Sequence, residues 1–199
     1  MRKMIFDHVR QYWIIYLTLL CVFLAGSFFG AVGVGALSEE KTIELTKFVD
    51  NLLVEQPNTL ESAFLQQLAR DNIIIMAGIW VLGLTIIGTP LVYLIVFTRG
   101  FILGFTIAFI IQIKKIMGIG LAILTIVFPS FVAVPCLLLG AGLATIFSFL
   151  LIQGKSSGES VKKEFFYYCA ATIVVSFGAV GAGVLQGYFS IVGVNFFGF

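Results

Sequence analysis

YWIIYLTLLCVFLAGSFFGAVGVGA, residues 12–36, runs its whole length without a charged side chain. About 20 consecutive apolar residues suffice for a helix to cross the ~30 Å hydrocarbon core of a bilayer. Tyr12, Trp13 and Tyr16 stand at its start, where membrane-crossing helices place their interfacial aromatics. Arg2, Lys3 and Arg10 precede it. A secretory signal also follows a basic stretch, but its apolar core is only ~7–15 residues long. The longer run reads as a retained membrane anchor.

The rest of the chain repeats this pattern. Its 199 residues are 60% hydrophobic and 11% charged, with a mean hydropathy of +1.09. A water-soluble domain carries about 25% charged residues, so this chain is too poor in charge to clothe a surface in water. Further apolar runs cover residues 73–97, containing Pro90, and residues 165–191, rich in small side chains. Between them, residues 100–113 are apolar but short and lead into Lys114 and Lys115. Residues 116–152 are apolar throughout and interrupted by Pro129 and Pro135.

The expected architecture is all-α: a polytopic integral membrane helical bundle forming a single domain, 1–199. Its spans are residues 12–36, 73–97, 116–134, 136–152 and 165–191. Residues 100–113 form a re-entrant or interfacial segment, because two lysines inside one long span would each cost ~2.5–3.5 kcal/mol. A tight turn at Pro135 joins the third and fourth spans, and Pro90 kinks the second. This layout places Arg2, Lys3, Arg10, Arg99, Lys114, Lys115, Lys155, Lys162 and Lys163 on the cytoplasmic side, against Lys41, Lys47 and Arg70 outside. That asymmetry obeys the positive-inside rule with the N-terminus cytoplasmic and the C-terminus extracytoplasmic.

Residues 37–72 form the one sizeable polar region, with Glu39, Glu40, Glu44, Asp50, Glu55, Glu61 and Asp71 against three basic side chains. Leu45, Phe48, Val49 and Leu52 recur at helical spacing, which predicts an amphipathic helix. Pro57-Asn58 breaks it. Thr59 caps a second helix, with Leu60, Phe64 and Leu68 four apart, that runs into the next span. The apolar faces at Phe48, Leu52, Phe64 and Leu68 either pack locally or dock an extracytoplasmic partner. The acidic balance disfavours anionic headgroups as their target.

Catalysis has few candidate residues. The only histidine, His8, lies in the basic tail, and no phosphate-binding Gly-Lys-Ser/Thr occurs. Cys21, Cys136 and Cys169 lie in or beside apolar stretches, form no C-x-x-C pair and read as core packers. The chain is therefore expected not to be an enzyme and to need no cofactor or metal. Small residues four apart occur at Gly26/Gly30, Gly100/Gly104, Gly140/Ala144 and Gly183/Gly187, a spacing that lets helix backbones approach closely. Ordinary packing within the chain is the favoured use, and a homo-oligomer is compatible with the same motif.

Certain residues carry a family resemblance. Trp80-Val81-Leu82-Gly83-Leu84-Thr85-Ile86-Ile87-Gly88-Thr89-Pro90, then Arg99-Gly100-Phe101, Gly104-Phe105-Thr106, and Phe128-Pro129 with Pro135, resemble the stage II sporulation protein M family. The basic tail, the glycine-rich end of the first run and the helical polar region also fit. The resemblance implies a scaffold for forespore engulfment during endospore formation, in the mother-cell membrane at the septum. It further implies recruitment of stage II sporulation protein P, a cell-wall amidase, which holds stage II sporulation protein D, a lytic transglycosylase. The partners would remodel peptidoglycan. The alternative is a transporter or channel permease subunit working as an oligomer, against which stands the expectation that no ionisable residue lies deep in a span.

Overall fold

The computed structural model describes residues 12–54, 62–85, 87–153 and 158–197. Every described element is helical. They are α1 (Trp13–Gly35), α2 (Glu39–Val54), α3 (Ser62–Gly83), α4 (Gly88–Ala122), a π-helical turn (Ile123–Val127), α5 (Phe128–Gln153) and α6 (Gly158–Phe197). Among the described residues, four stretches are long and apolar enough to cross a membrane: Trp13–Gly35, Gly88–Ile113, Gly118–Ile152 and Phe165–Phe189. The chain is a helical polytopic membrane protein. Its surface agrees, for Phe131 and Phe166 are each 78% exposed and Phe177 is 74% exposed. Such apolar surface is stable against lipid tails but not against water.

Contacts fix the direction of each helix. Along α1 and α4, Thr18 meets Tyr93, Phe23 meets Gly100 and Ser27 meets Gly104. Both numbers rise together, so these helices run parallel. Along α3 and α6, Asn72 meets Ala179 and Trp80 meets Tyr168, an antiparallel pairing. Helix α5 is antiparallel to α6, through Phe128 with Phe189 and Phe147 with Tyr168. It is parallel to α3, through Met76 with Gly140 and Thr85 with Ser148. Thus α1, α4 and α6 point one way along the bundle, and α3 and α5 the other.

Several span boundaries need correction. Residues 73–97 are not one helix. They are split between α3 and α4, where the chain turns through Leu84 and Thr85 and the Gly88 amide donates to the Thr85 carbonyl at 3.1 Å. Pro90 therefore lies in the first turn of α4, where an amide has no intrahelical acceptor and proline costs little; it does not kink a span. The re-entrant segment at 100–113 is also replaced, because those residues continue α4 straight from Gly88. The chain reverses at Lys115, whose backbone (φ 50°, ψ −125°) leaves the helical region. A positive φ is costly for a side chain other than glycine, so the turn is held at the expense of local strain.

The turn at Pro135 is absent as well, since Pro135 stands inside α5. Proline lacks an amide hydrogen and its ring crowds the carbonyl four residues back. Helices meet this in lipid with local π adjustments and hydroxyl donors. Both occur here: the π turn Ile123–Val127 directly precedes Pro129, and the Ser130 hydroxyl donates to the Ile126 carbonyl at 2.6 Å. Gly118–Ile152 is consequently one 35-residue helical stretch.

These changes redistribute charge. Lys114 and Lys115 lie at the reversal within α4, at the end of the bundle that α1 reaches at Gly35. Arg99 falls in the middle of α4 rather than at a border. Among the described residues, Lys162 and Lys163 near the start of α6 then belong to one end, and Lys41, Lys47, Lys114 and Lys115 to the other.

The buried centre joins five helices. Leu19, Ile79, Val92 and Val96 are almost fully buried there, with Ala141 and Ala144 of α5 and Ala179 and Ala182 of α6. Helix α2 stands apart, packing at most marginally on any other element among the described residues.

Candidate functional site

Two glycine pairs that sequence reading treats separately meet each other. A β-carbon on Gly26 would fall on the Phe97 carbonyl, and one on Gly30 on the Phe101 carbonyl. Reciprocally, one on Gly100 would strike the Phe23 carbonyl and one on Gly104 the Ser27 carbonyl. Backbone lies on backbone along α1 and α4, a distance that no larger side chain allows. Gly183 and Gly187 are both buried in α6.

The proposed docking residues are differently placed. Phe48 and Leu52 fall within helix α2, and Phe64 and Leu68 within α3; the side chains of all four lie outside the described part of the structure, as do Pro57-Asn58 and Thr59. Neighbouring Ile43 on α2 is 57% exposed.

The Trp80–Pro90 stretch builds the turn between α3 and α4, and α5 and α6 hold it. Ser148, fully buried on α5, donates to the Thr85 carbonyl at 2.8 Å and accepts from the Thr89 hydroxyl at 3.1 Å. Tyr168 of α6 donates to the Trp80 carbonyl at 2.9 Å. Its ring stacks on Phe147, with centroids 4.6 Å apart and planes 4° from parallel. A β-carbon on Gly83 would collide with the Tyr168 hydroxyl. Sequence reading missed Ser148 and Tyr168. Their signal is faint: a hydroxyl within an apolar run whose partner is a distant backbone carbonyl.

On the other side of α4 the helices part. A cavity of about 190 Å³ opens between α3, α4, α5 and α6, with Phe23 of α1 completing its wall. Its polar wall is Asn72, Arg99, Thr106, Ser130 and Gln186. The Asn72 amide donates to the Ala179 carbonyl at 3.2 Å, which fixes α3 to the middle of α6. Thr106 and Ser130 each donate to a carbonyl of their own helix, leaving their oxygen lone pairs toward other donors. Arg99 is half-buried and feels the negative charge of Asp71 on α3.

The depth of Arg99 follows from the glycine seam. Phe97 and Phe101, which flank it, bracket Gly26, and Gly26 lies near the midpoint of Trp13–Gly35. A full charge therefore stands halfway along the membrane-crossing helices, beside a cavity. This overturns the expectation that no ionisable residue lies deep in a span. Charges at that depth are expensive and face a partner or a water-filled space. The π turn contributes Ile126 to the same cavity, and such turns recur at functional sites. No group of three or more His, Cys, Asp or Glu side chains able to hold a metal occurs among the described residues.

Comparison with known proteins gives one match. A family model described as stage II sporulation protein M matches residues 19–191. No curated protein and no solved structure matches the chain.

Proposed function

The chain belongs to the stage II sporulation protein M family, a sporulation-related membrane family, and from that premise we propose that it is a scaffold for forespore engulfment that recruits peptidoglycan-degrading enzymes to the septum. Its partners in this reading are stage II sporulation protein P, bound directly, and stage II sporulation protein D, held through it. The chain itself carries no catalysis; that belongs to the partners, which act outside the cytoplasm.

The observation that carries this reading is α2. It is a 16-residue helix attached at the membrane border, standing off the bundle. A helix with apolar positions that packs at most marginally on the other described elements is suited to contact with another protein. By position in the sequence, Arg2, Lys3, Arg10, Lys155, Lys162 and Lys163 go with the end where α1 begins, against Lys41, Lys47, Arg70, Lys114 and Lys115 with the opposite end, a six-to-five balance that favours a cytoplasmic N-terminus and an extracytoplasmic α2. Membership of the family supports the mother-cell side of the septum as its location in this reading.

The decisive experiment follows a fluorescent amidase partner through engulfment with and without this gene. The scaffold reading expects the septal focus to disappear and engulfment to stall. A focus that persists without the gene rejects it. Aspartate at Phe48, Leu52, Phe64 and Leu68 together tests the surface: the protein should still insert but no longer capture the amidase.

The transporter reading has one observation in its favour, Arg99 beside a cavity halfway across the bundle. Reconstitution into vesicles separates the two readings, since a scaffold produces no solute flux.

A further inference from the structure

We infer that the cavity beside Arg99 is a binding site for the phosphate headgroup of an anionic lipid. The inference is independent of whether the chain recruits enzymes.

Charge carries the argument first. Arg99 is the one charged side chain on the cavity wall among the described residues. Asp71 lies near enough to influence it, but among the described residues no hydrogen bond or close ion pair engages the guanidinium. A guanidinium presents a planar fork of donors suited to phosphate oxygens. Around it stand the amides of Asn72 and Gln186, and the hydroxyls of Thr106 and Ser130, which donate to a phosphate oxygen on turning away from the carbonyls of their own helices. That set offers one positive charge and several neutral hydrogen-bonding groups, which matches a singly charged phosphodiester.

Size and setting narrow the ligand. A volume of about 190 Å³ is many times the ~10–15 Å³ that one water requires by the same kind of measure. It is large enough for a phosphate group. Between these polar groups much of the wall is apolar, including Ile75, Met76, Leu103, Val134 and Leu137. A free ion gains nothing from that wall, whereas an amphiphile lays its glycerol and upper acyl carbons against it. The cavity also lies at a depth where tails are the surrounding solvent. A headgroup drawn in from the side keeps its chains in the bilayer while its phosphate meets Arg99.

The test is native mass spectrometry of the full-length protein released from a neutral detergent, with phosphatidylglycerol or phosphatidylcholine added at equal concentration. Phosphatidylglycerol should be retained in preference. Arg99→Gln should weaken it about tenfold, as expected for a lost charge-assisted hydrogen bond, and Arg99→Lys should retain most of it. Arg70→Gln removes an exposed charge outside the cavity and should behave as wild type. Should Arg99→Gln fail to fold, Thr106→Val decides, with a twofold to threefold weakening expected. Displacement by millimolar inorganic phosphate identifies free phosphate as a source of the same chemistry; resistance to it assigns the site to the lipid. Equal retention of both lipids overturns the inference. So does unchanged retention in a folded Arg99→Gln or, where that variant fails, in Thr106→Val.

Discussion

Helix α4 presents two unlike faces. Toward α1 it shows Gly100 and Gly104, and backbone closes on backbone. Toward α3 and α5 it shows Arg99, Leu103 and Thr106, and the helices stand off around a cavity. One face has no room for a methyl group; the other has room for a ligand. The contrast teaches what glycine does in lipid. Without water to drive apolar surfaces together, close packing and its dispersion contacts supply much of the association. The seam joins α1 to α4 and leaves the opposite face of α4 free to hold polar groups apart.

The largest effect should come from breaking the seam. Gly104→Leu or Gly30→Leu must push two backbones apart, so the loss should exceed the ~1–3 kcal/mol of ordinary overpacking. Thermal unfolding in detergent reports it, and a variant melting within a degree or two of wild type would deny that α1 and α4 touch. The turn that starts α4 comes next. Ser148→Ala leaves the Thr85 carbonyl without its buried donor and should cost about 1–3 kcal/mol. A neutral result would detach α5 from that turn. Tyr168→Phe keeps the stack on Phe147 and removes only the bond to Trp80, so about 0.6–1.5 kcal/mol is expected from the same melting curves. Smallest is Gly78→Ala on α3. A β-carbon there meets nothing within 4 Å, so the variant should lose no stability and gain up to ~1 kcal/mol from helix propensity. A large loss at Gly78 would mean that the two kinds of glycine do not differ.

Much of the fold was legible in residue chemistry. Long uncharged runs made α1 and the apolar stretch of α6 readable, and glycine spacing marked both halves of the seam. That the two halves meet was not legible, because spacing specifies a surface and not its partner. The turn between α3 and α4 was hidden for another reason. It consists almost wholly of apolar side chains, and hydropathy does not distinguish a turn held by distant hydroxyls from a continuing helix. Pro135 misled in the opposite sense, being read as a chain reversal although it stands inside α5, in a helix where a π turn and the Ser130 hydroxyl accommodate proline. Arg99 was placed at a membrane border because its charge is costly elsewhere. The cavity that makes its true position tolerable is assembled from five helices, and no local stretch of sequence contains it.

The parallel pairing of α1 and α4 bears on how the protein is made. Thr18 and Tyr93 touch across 75 residues of chain. At synthesis rates of ~5–20 residues per second, α1 leaves the ribosome about 4–15 s before the helix it must meet. Throughout that interval the nascent chain holds a bare glycine groove in the bilayer. The insertion machinery must therefore shelter α1, or leave it unclaimed by other helices, until α4 arrives.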